Sequence, residues 1–168
     1  MKQHHPLLHA YLKNWLAQTA HEKLSRKAMI HASEAIESFM HENNIDSLWS
    51  TPTTLCTATL DDALGQGLDI IEIFSRVLGM TVKRIGLLCH VDDIITTCQL
   101  LQPDYLGMTV LQFDSEIDMK RISVALPQKT CFVAGGPLFQ IESDFAIRCN
   151  IDFAARDILA YIEFLIKQ

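Results

Sequence analysis

Apolar residues recur at two different spacings along this chain. Up to about residue 42 they return every three or four positions, which predicts one helix beginning at Pro6 and a second over residues 22–41. Beyond residue 53, short continuous apolar runs alternate with further helical stripes. The chain is therefore predicted to divide into an N-terminal helical hairpin, residues 1–45, and a larger unit, residues 53–168.

The larger unit alternates strand-like runs with helix-like runs. The predicted strands are Thr53–Thr59, Thr81–Leu88, Tyr105–Val110, Thr130–Ala134 and Ile151–Phe153. The predicted helices are Gly65–Leu78, Asp92–Leu101, Ser115–Leu126, Leu138–Arg148 and Arg156–Ile166. This alternation indicates βαβ units, and hence an α/β fold with a parallel sheet. The strand runs are apolar throughout, which predicts that helices cover both faces of the sheet.

Composition and charge argue against several classes of function. The chain has 168 residues, 49% of them hydrophobic, and a net charge of -6, so nothing in it indicates a nucleic-acid partner. No apolar run approaches the roughly 20 residues that cross a bilayer, and the first residues lack the apolar core of a secretory signal. The five cysteines form no C-x-x-C pair. We expect a cytoplasmic protein with reduced thiols.

Function is expected at the edge of the sheet where the strands end. In parallel sheets the loops that follow the strands meet at this carboxyl edge, and ligands bind there. After the first strand comes D-D-A-L-G-Q-G, in which Gly65 and Gly67 allow the backbone to approach a large ligand. Thr109 ends the third strand, and Gly135-Gly136 follows the fourth. With no Walker loop in the sequence, these small residues predict a broad, flat receptacle.

The order and spacing of these segments resemble the cobalamin-binding domain family, which includes the corrinoid domain of methionine synthase. The family pattern is D-x-H-x-x-G, then S-x-L, then G-G. Here D-A-L-G-Q-G, T-V-L and G-G stand at the three places, and the resemblance covers about residues 53–167. It implies a flavodoxin-like sheet, for which we expect the strand order 2-1-3-4-5. It also implies a tetrapyrrole, cobalamin or haem, held by Asp62, Gly65, Gly67, Thr109, Leu111, Gly135 and Gly136.

Position 64 departs from the family pattern. The family's histidine there ligates cobalt, oriented by the aspartate two residues earlier, whereas Leu64 has no donor atom. Three alternatives stay open: cobalamin that keeps its own base or binds weakly, another tetrapyrrole such as haem, or no ligand, with the fold kept as a protein-interaction module. His90, on the loop after the second strand, is the candidate metal ligand. The ordinary alternative is a loop histidine bonded to Asp92 or Asp93.

No catalytic constellation accompanies these motifs. G-x-S-x-G is absent, and the acid pairs Asp61-Asp62 and Asp92-Asp93 are adjacent in sequence, so their carboxylates do not face one another. We therefore expect a non-catalytic binder or sensor of a tetrapyrrole that acts through a partner protein. A corrinoid carrier subunit of a methyltransferase system is the alternative. The two apolar stripes of the hairpin are predicted to cap the carboxyl edge or to pair between two chains of a homodimer.

Replacing Leu64 tests whether the first loop faces cobalt. In protein mixed with cobalamin, Leu64→His should shift the visible absorption spectrum toward the histidine-ligated form and tighten binding, because imidazole is a cobalt ligand and an isobutyl group is not. An unchanged spectrum and an unchanged affinity would show that this loop does not face the cobalt.

Overall fold

Five parallel strands form a single sheet in the order β2-β1-β3-β4-β5, as predicted for the α/β class. The structure is a computed structural model that describes residues 4–20, 22–61, 65–111, 113–142 and 144–168. The predictions for Asp62 and Leu64 concern residues outside these ranges. The strands are β1 Thr53–Ala58, β2 Met80–Gly86, β3 Tyr105–Thr109, β4 Cys131–Gly135 and β5 Phe153–Ala155.

Eight α-helices accompany the sheet within the described ranges. They are α1 Pro6–Thr19, α2 Arg26–Glu42, α3 Gln66–Val77, α4 Val91–Leu101, α5 Glu116–Ala125, α6 Leu138–Ile141, α7 Phe145–Arg148 and α8 Ile158–Leu165. A short 3-10 helix, Phe113–Ser115, precedes α5. The chain passes from β1 outward to β2 and then returns to place β3 on the other side of β1. The winding of the sheet therefore reverses between β1 and β3, which in such folds is where ligands bind.

The two faces of the sheet have separate cores. On one face α3 and α8 pack through Phe74, Tyr105 and Tyr161, and the hairpin adds an outer layer to the same core. On the other face α4, α5, α6 and α7 pack around Phe132 and Phe145. A sheet covered on both faces explains why the runs of β1, β3 and β4 are apolar rather than alternating.

The hairpin lies against the sheet unit in a way the sequence left open. Helix α1 contacts α8 and α2 contacts α3, so Leu8, Leu12 and Ile36 are fully buried within one chain. The apolar stripes that motivated a homodimer are thus covered without a second copy. The segment between the two predicted units, residues 46–52, contributes Leu48 and Trp49 to this core. The division into units 1–45 and 53–168 stays a prediction.

Two expectations about the elements were wrong. Strand β2 is not buried on both faces: it is an edge strand, and Lys83 and Arg84 are exposed on it. The predicted helix Leu138–Arg148 is broken into α6 and α7. Helix α6 ends before Glu142. Around this break the Arg148 guanidinium forms ion pairs with the carboxylates of Glu142, Asp144 and Glu116. Three ion pairs on one arginine stabilise a corner there.

The hairpin and the sheet should unfold together, because they share one core. Leu12→Ala is expected to lower the free energy of unfolding by about 2–4 kcal/mol, since it removes a fully buried side chain between α1 and the sheet unit. The neighbouring exposed Lys13→Ala is the control and should change it by less than about 0.5 kcal/mol. Urea unfolding followed by circular dichroism measures both. A separate early transition of the hairpin would contradict the shared core.

Candidate ligand site at the carboxyl edge

A cavity of about 390 Å³ opens at the carboxyl edge between α3 and α8, and we call it the edge cavity. Five of the residues singled out in the sequence line it: Gly67, Thr109, Leu111, Gly135 and Gly136. Its walls are largely apolar, with Ile70, Ile71, Ile158 and Tyr161 from the two flanking helices. The tertiary structure therefore brings residues from three separate loops to one receptacle.

Two positions of the edge cavity are occupied by glycine for different physical reasons. A Cβ built on Gly67 would lie 3.1 Å from the Thr109 hydroxyl oxygen, so glycine keeps this part of the cavity open. Gly136 has φ +126°, and a Cβ there would lie 2.3 Å from the Val110 carbonyl oxygen. Gly136 is thus required by the close approach of the β3 and β4 loops, whatever the ligand.

Gly65 lies outside the edge cavity, under the loop that follows β2. It is buried at φ +69°, and a Cβ built there would lie 3.2 Å from Leu87 Cδ1. The neighbouring Leu88 also has a positive φ, 53°, and its side chain is 60% exposed. A bulky residue in this conformation is strained by about 1–2 kcal/mol, and such strain clusters at functional sites.

Hydrogen bonds from two buried residues fix the loops of the carboxyl edge. The Thr59 hydroxyl accepts from the Leu88 N–H at 3.2 Å and donates to the Asp61 carbonyl at 3.0 Å. The Asp61 carboxylate accepts from the Leu111 N–H at 2.7 Å. The loops after β1, β2 and β3 are therefore joined. In the sequence, Asp61 was considered only as one half of an acid pair. Its position directly after a buried strand was the signal that could have indicated its role in joining the loops.

His90 is placed away from the edge cavity. It is exposed, stands at the N-cap of α4 without a side-chain capping bond, and does not line the cavity. Within the described ranges, no group of three or more His, Cys, Asp or Glu side chains has the arrangement of a metal site. Burial and the nearby Asp93 carboxylate raise the pKa of the Cys89 thiol, so Cys89 is not activated as a thiolate ligand. Metal ligation by His90 stays a prediction.

An ion-pair network behind the cavity connects the hairpin, α3 and β2. Glu72 is 3% exposed and accepts from Thr57 at 2.6 Å, Arg84 at 2.7 Å and Arg76 at 2.9 Å. Burial opposes its ionisation, but the bonds from Arg84, Thr57 and Arg76 outweigh that effect and lower its pKa. Arg84 also donates to Asp69 at 2.6 Å. The network holds α3, the helix that forms one wall of the edge cavity, against the sheet.

Three solved structures with the same fold are a cobalamin-binding protein, a corrinoid protein and a cobalamin methyltransferase complex. A cobalamin-binding protein from Desulfitobacterium hafniense matches with a TM-score of 0.78 and 15% identity, over 96% of this chain and 80% of that one. The Methanosarcina barkeri monomethylamine corrinoid protein matches with a TM-score of 0.61 and 13% identity, over 84% of this chain and 67% of that one. The methanol:cobalamin methyltransferase complex of the same organism matches with a TM-score of 0.61 and 16% identity, over 95% and 65%.

At these identities the likeness establishes the fold, and the ligand has to be argued from the site. No protein-family model matches the chain, and no curated protein matches it. No helix in the part of the chain that the structure describes combines the length and apolar character of a membrane span.

The lowered pKa of Glu72 makes its contribution to stability depend on pH. At pH 7 Glu72→Gln should lower the free energy of unfolding by about 1–2 kcal/mol, a range reduced because Arg84 and Arg76 are partly exposed. The folded pKa lies below the ordinary 4.5, so this stability is present above about pH 4.5 and is lost as the pH falls through the folded value. Urea unfolding should therefore show the wild-type and variant curves converging in acid. A gap of constant size from pH 7 to pH 3 would contradict the ionised assignment.

Proposed function

We propose that this protein binds a cobalamin at the carboxyl edge of its sheet, without catalysis of its own, and acts through a partner protein. One observation supports this above the others: an apolar, glycine-walled cavity opens at the switch point of a fold shared with solved corrinoid proteins. A phosphate cradle would instead offer a row of free backbone N–H groups. Here the N–H groups of Leu88 and Leu111 are bonded to Thr59 and Asp61 of the loop after β1.

The size and lining of the edge cavity fit the tail of a cobalamin. A corrin ring with its amide side chains is larger than a cavity of about 390 Å³, whereas the flat aromatic base of the tail is small enough to enter it. Gly67 leaves the space beside Thr109 free, and Ile71, Ile158 and Tyr161 supply apolar surface for a ring to pack against.

The surface beside the cavity fits the face of the corrin ring. Leu87, Leu88 and Leu111 are 40%, 60% and 39% exposed on the loops after β2 and β3. These loops stand on either side of the loop after β1, and we call their exposed leucines the platform; soluble proteins keep exposed apolar surface small unless a ligand or partner covers it. Cobalamin would supply a cobalt centre at this platform, and the loops would orient the ring and exclude water.

Leu64 determines the axial ligation of the cobalt in this proposal. Because position 64 has no donor atom, binding depends on shape and apolar contact. With the tail base in the edge cavity, the cobalt has no axial ligand from this loop. A sensor or regulatory role is compatible with such binding, because the protein needs no fixed protein–cobalt bond.

A corrinoid carrier for a methyltransferase is the second candidate. It is favoured by the likeness to the monomethylamine corrinoid protein and to the methanol:cobalamin methyltransferase complex. In this candidate the partner protein is a methyltransferase that reaches the upper face of the corrin at the carboxyl edge. The absence of a ligating side chain at position 64 favours the sensor over the carrier.

Filling the edge cavity should weaken cobalamin binding. Wild-type protein is expected to bind aquocobalamin at micromolar concentration with a change in its visible spectrum, and haem should give no new Soret band. Gly67→Val should weaken cobalamin binding at least about tenfold, because three added carbons point toward Thr109. Equilibrium dialysis and absorbance titration measure both.

Thr96→Val is the matched control, since it places the same β-branched side chain on an exposed position of α4, on the other face of the sheet. It should bind cobalamin as the wild type does. A wild-type protein that takes up no cobalamin would rule out the proposed function, and full affinity in Gly67→Val would show that the edge cavity is not used.

A further inference from the structure

Two arginines lie at the mouth of the edge cavity, on its two sides. Arg26, the first residue of α2, lies on the α3 side, and Arg156, in the turn between β5 and α8, lies on the α8 side. The carboxylate that lines the cavity among the described residues is Asp157, which caps α8 by accepting from the Ala160 N–H at 2.8 Å. Arg156 pairs with the Asp157 carboxylate at 3.4 Å and Arg26 pairs with the Asp69 carboxylate at 3.3 Å, so each guanidinium at the mouth has one carboxylate neighbour.

Arg26 is held more loosely than its neighbours in the ion-pair network. Its guanidinium reaches the Asp69 carboxylate at 3.3 Å and the Gln66 carbonyl at 3.2 Å. Arg84 donates to the same carboxylate at 2.6 Å, so Asp69 keeps a close partner when Arg26 turns away. The Arg26 side chain is 45% exposed and Arg156 is 78% exposed, which leaves both accessible to an anion.

We propose that Arg26 and Arg156 bind the phosphate of the ligand's nucleotide tail, while the aromatic base of that tail lies in the edge cavity. This inference rests on the proposed function. In cobalamin a phosphodiester links the corrin side chain to the ribose of the base, so a base inside the cavity brings one negative charge to the mouth. The planar fork of arginine donors matches phosphate oxygens.

The hairpin acquires a role through this contact. Arg26 belongs to α2, so the outer helical layer contributes directly to ligand recognition rather than only covering α3. The two arginines make the site selective: a complete cobalamin is preferred over cobinamide, the corrinoid that lacks the nucleotide tail. Selection of this kind excludes corrinoid precursors.

The test compares two corrinoids on four proteins. Wild type, Arg26→Met, Arg156→Met and Arg76→Met are titrated with aquocobalamin and with cobinamide, and binding is measured by calorimetry. Arg76→Met is the matched control, because Arg76 belongs to the same network, 2.9 Å from Glu72, but does not line the edge cavity. Thermal unfolding of each variant checks that it is folded.

We expect wild type to bind cobalamin at least about tenfold more tightly than cobinamide. Arg26→Met should lose about tenfold in affinity for cobalamin and keep its affinity for cobinamide, and Arg76→Met should bind both as the wild type does. If Arg26→Met does not fold, the same selective loss in Arg156→Met supports the assignment, and its absence overturns it.

Other outcomes overturn the inference in distinguishable ways. Equal affinity of the wild type for the two corrinoids would refute the phosphate contact and leave cobalamin binding in place. An equal loss for both corrinoids in Arg26→Met would show that Arg26 acts by holding the hairpin. A wild type that binds neither corrinoid would refute this inference together with the proposed function.

Discussion

The hydrogen bond from the Leu111 N–H to the Asp61 carboxylate crosses the point where the winding of the sheet reverses. A carboxylate buried at 6% exposure needs such a donor, because burying it unpaired would cost several kcal/mol. The bond fixes the loop after β1 to the loop after β3. Thr59 extends the same connection to the loop after β2. The edge cavity depends on these bonds, since loops that moved independently would have no common mouth.

The second constraint comes from the outer helical layer. Helix α2 packs on α3 and α1 packs on α8, so the hairpin presses the two helices that wall the edge cavity against the sheet. The buried Glu72 and its arginines hold α3 from the other side. Such a network is modest in net energy, because burying the charge costs nearly as much as the partners return. Its effect is positional: it sets where Gly67, Arg26 and the cavity mouth lie relative to β1.

Cavity, platform and charge together describe a site for one kind of molecule. The cavity is apolar and small, exposed leucines stand on the loops after β2 and β3, and the mouth carries two guanidinium groups. A molecule with a flat ring system, a smaller aromatic group and a single phosphate between them satisfies all three. The proposed cobalamin is such a molecule, and the fold is shared with solved cobalamin-binding and corrinoid proteins. The departure at Leu64 concerns the metal and leaves these contacts unaffected.

Period and order along the chain were enough to predict the α/β class and the parallel sheet, and the resemblance to the cobalamin-binding family implied the strand order 2-1-3-4-5. Local patterns dictate these features: continuous apolar runs suit strands buried on both faces, and glycines mark the loops between them. The candidate residues Gly67, Thr109, Leu111, Gly135 and Gly136 followed from the same order. What tertiary structure decided depends on contacts between distant segments. Four features depend on such contacts: the packing of the hairpin on α3 and α8, the break before α7, the hydrogen bond of Asp61 to the loop after β3, and the position of Arg26 at the cavity mouth. Each joins residues far apart in sequence, and no local spacing specifies which of these residues meet.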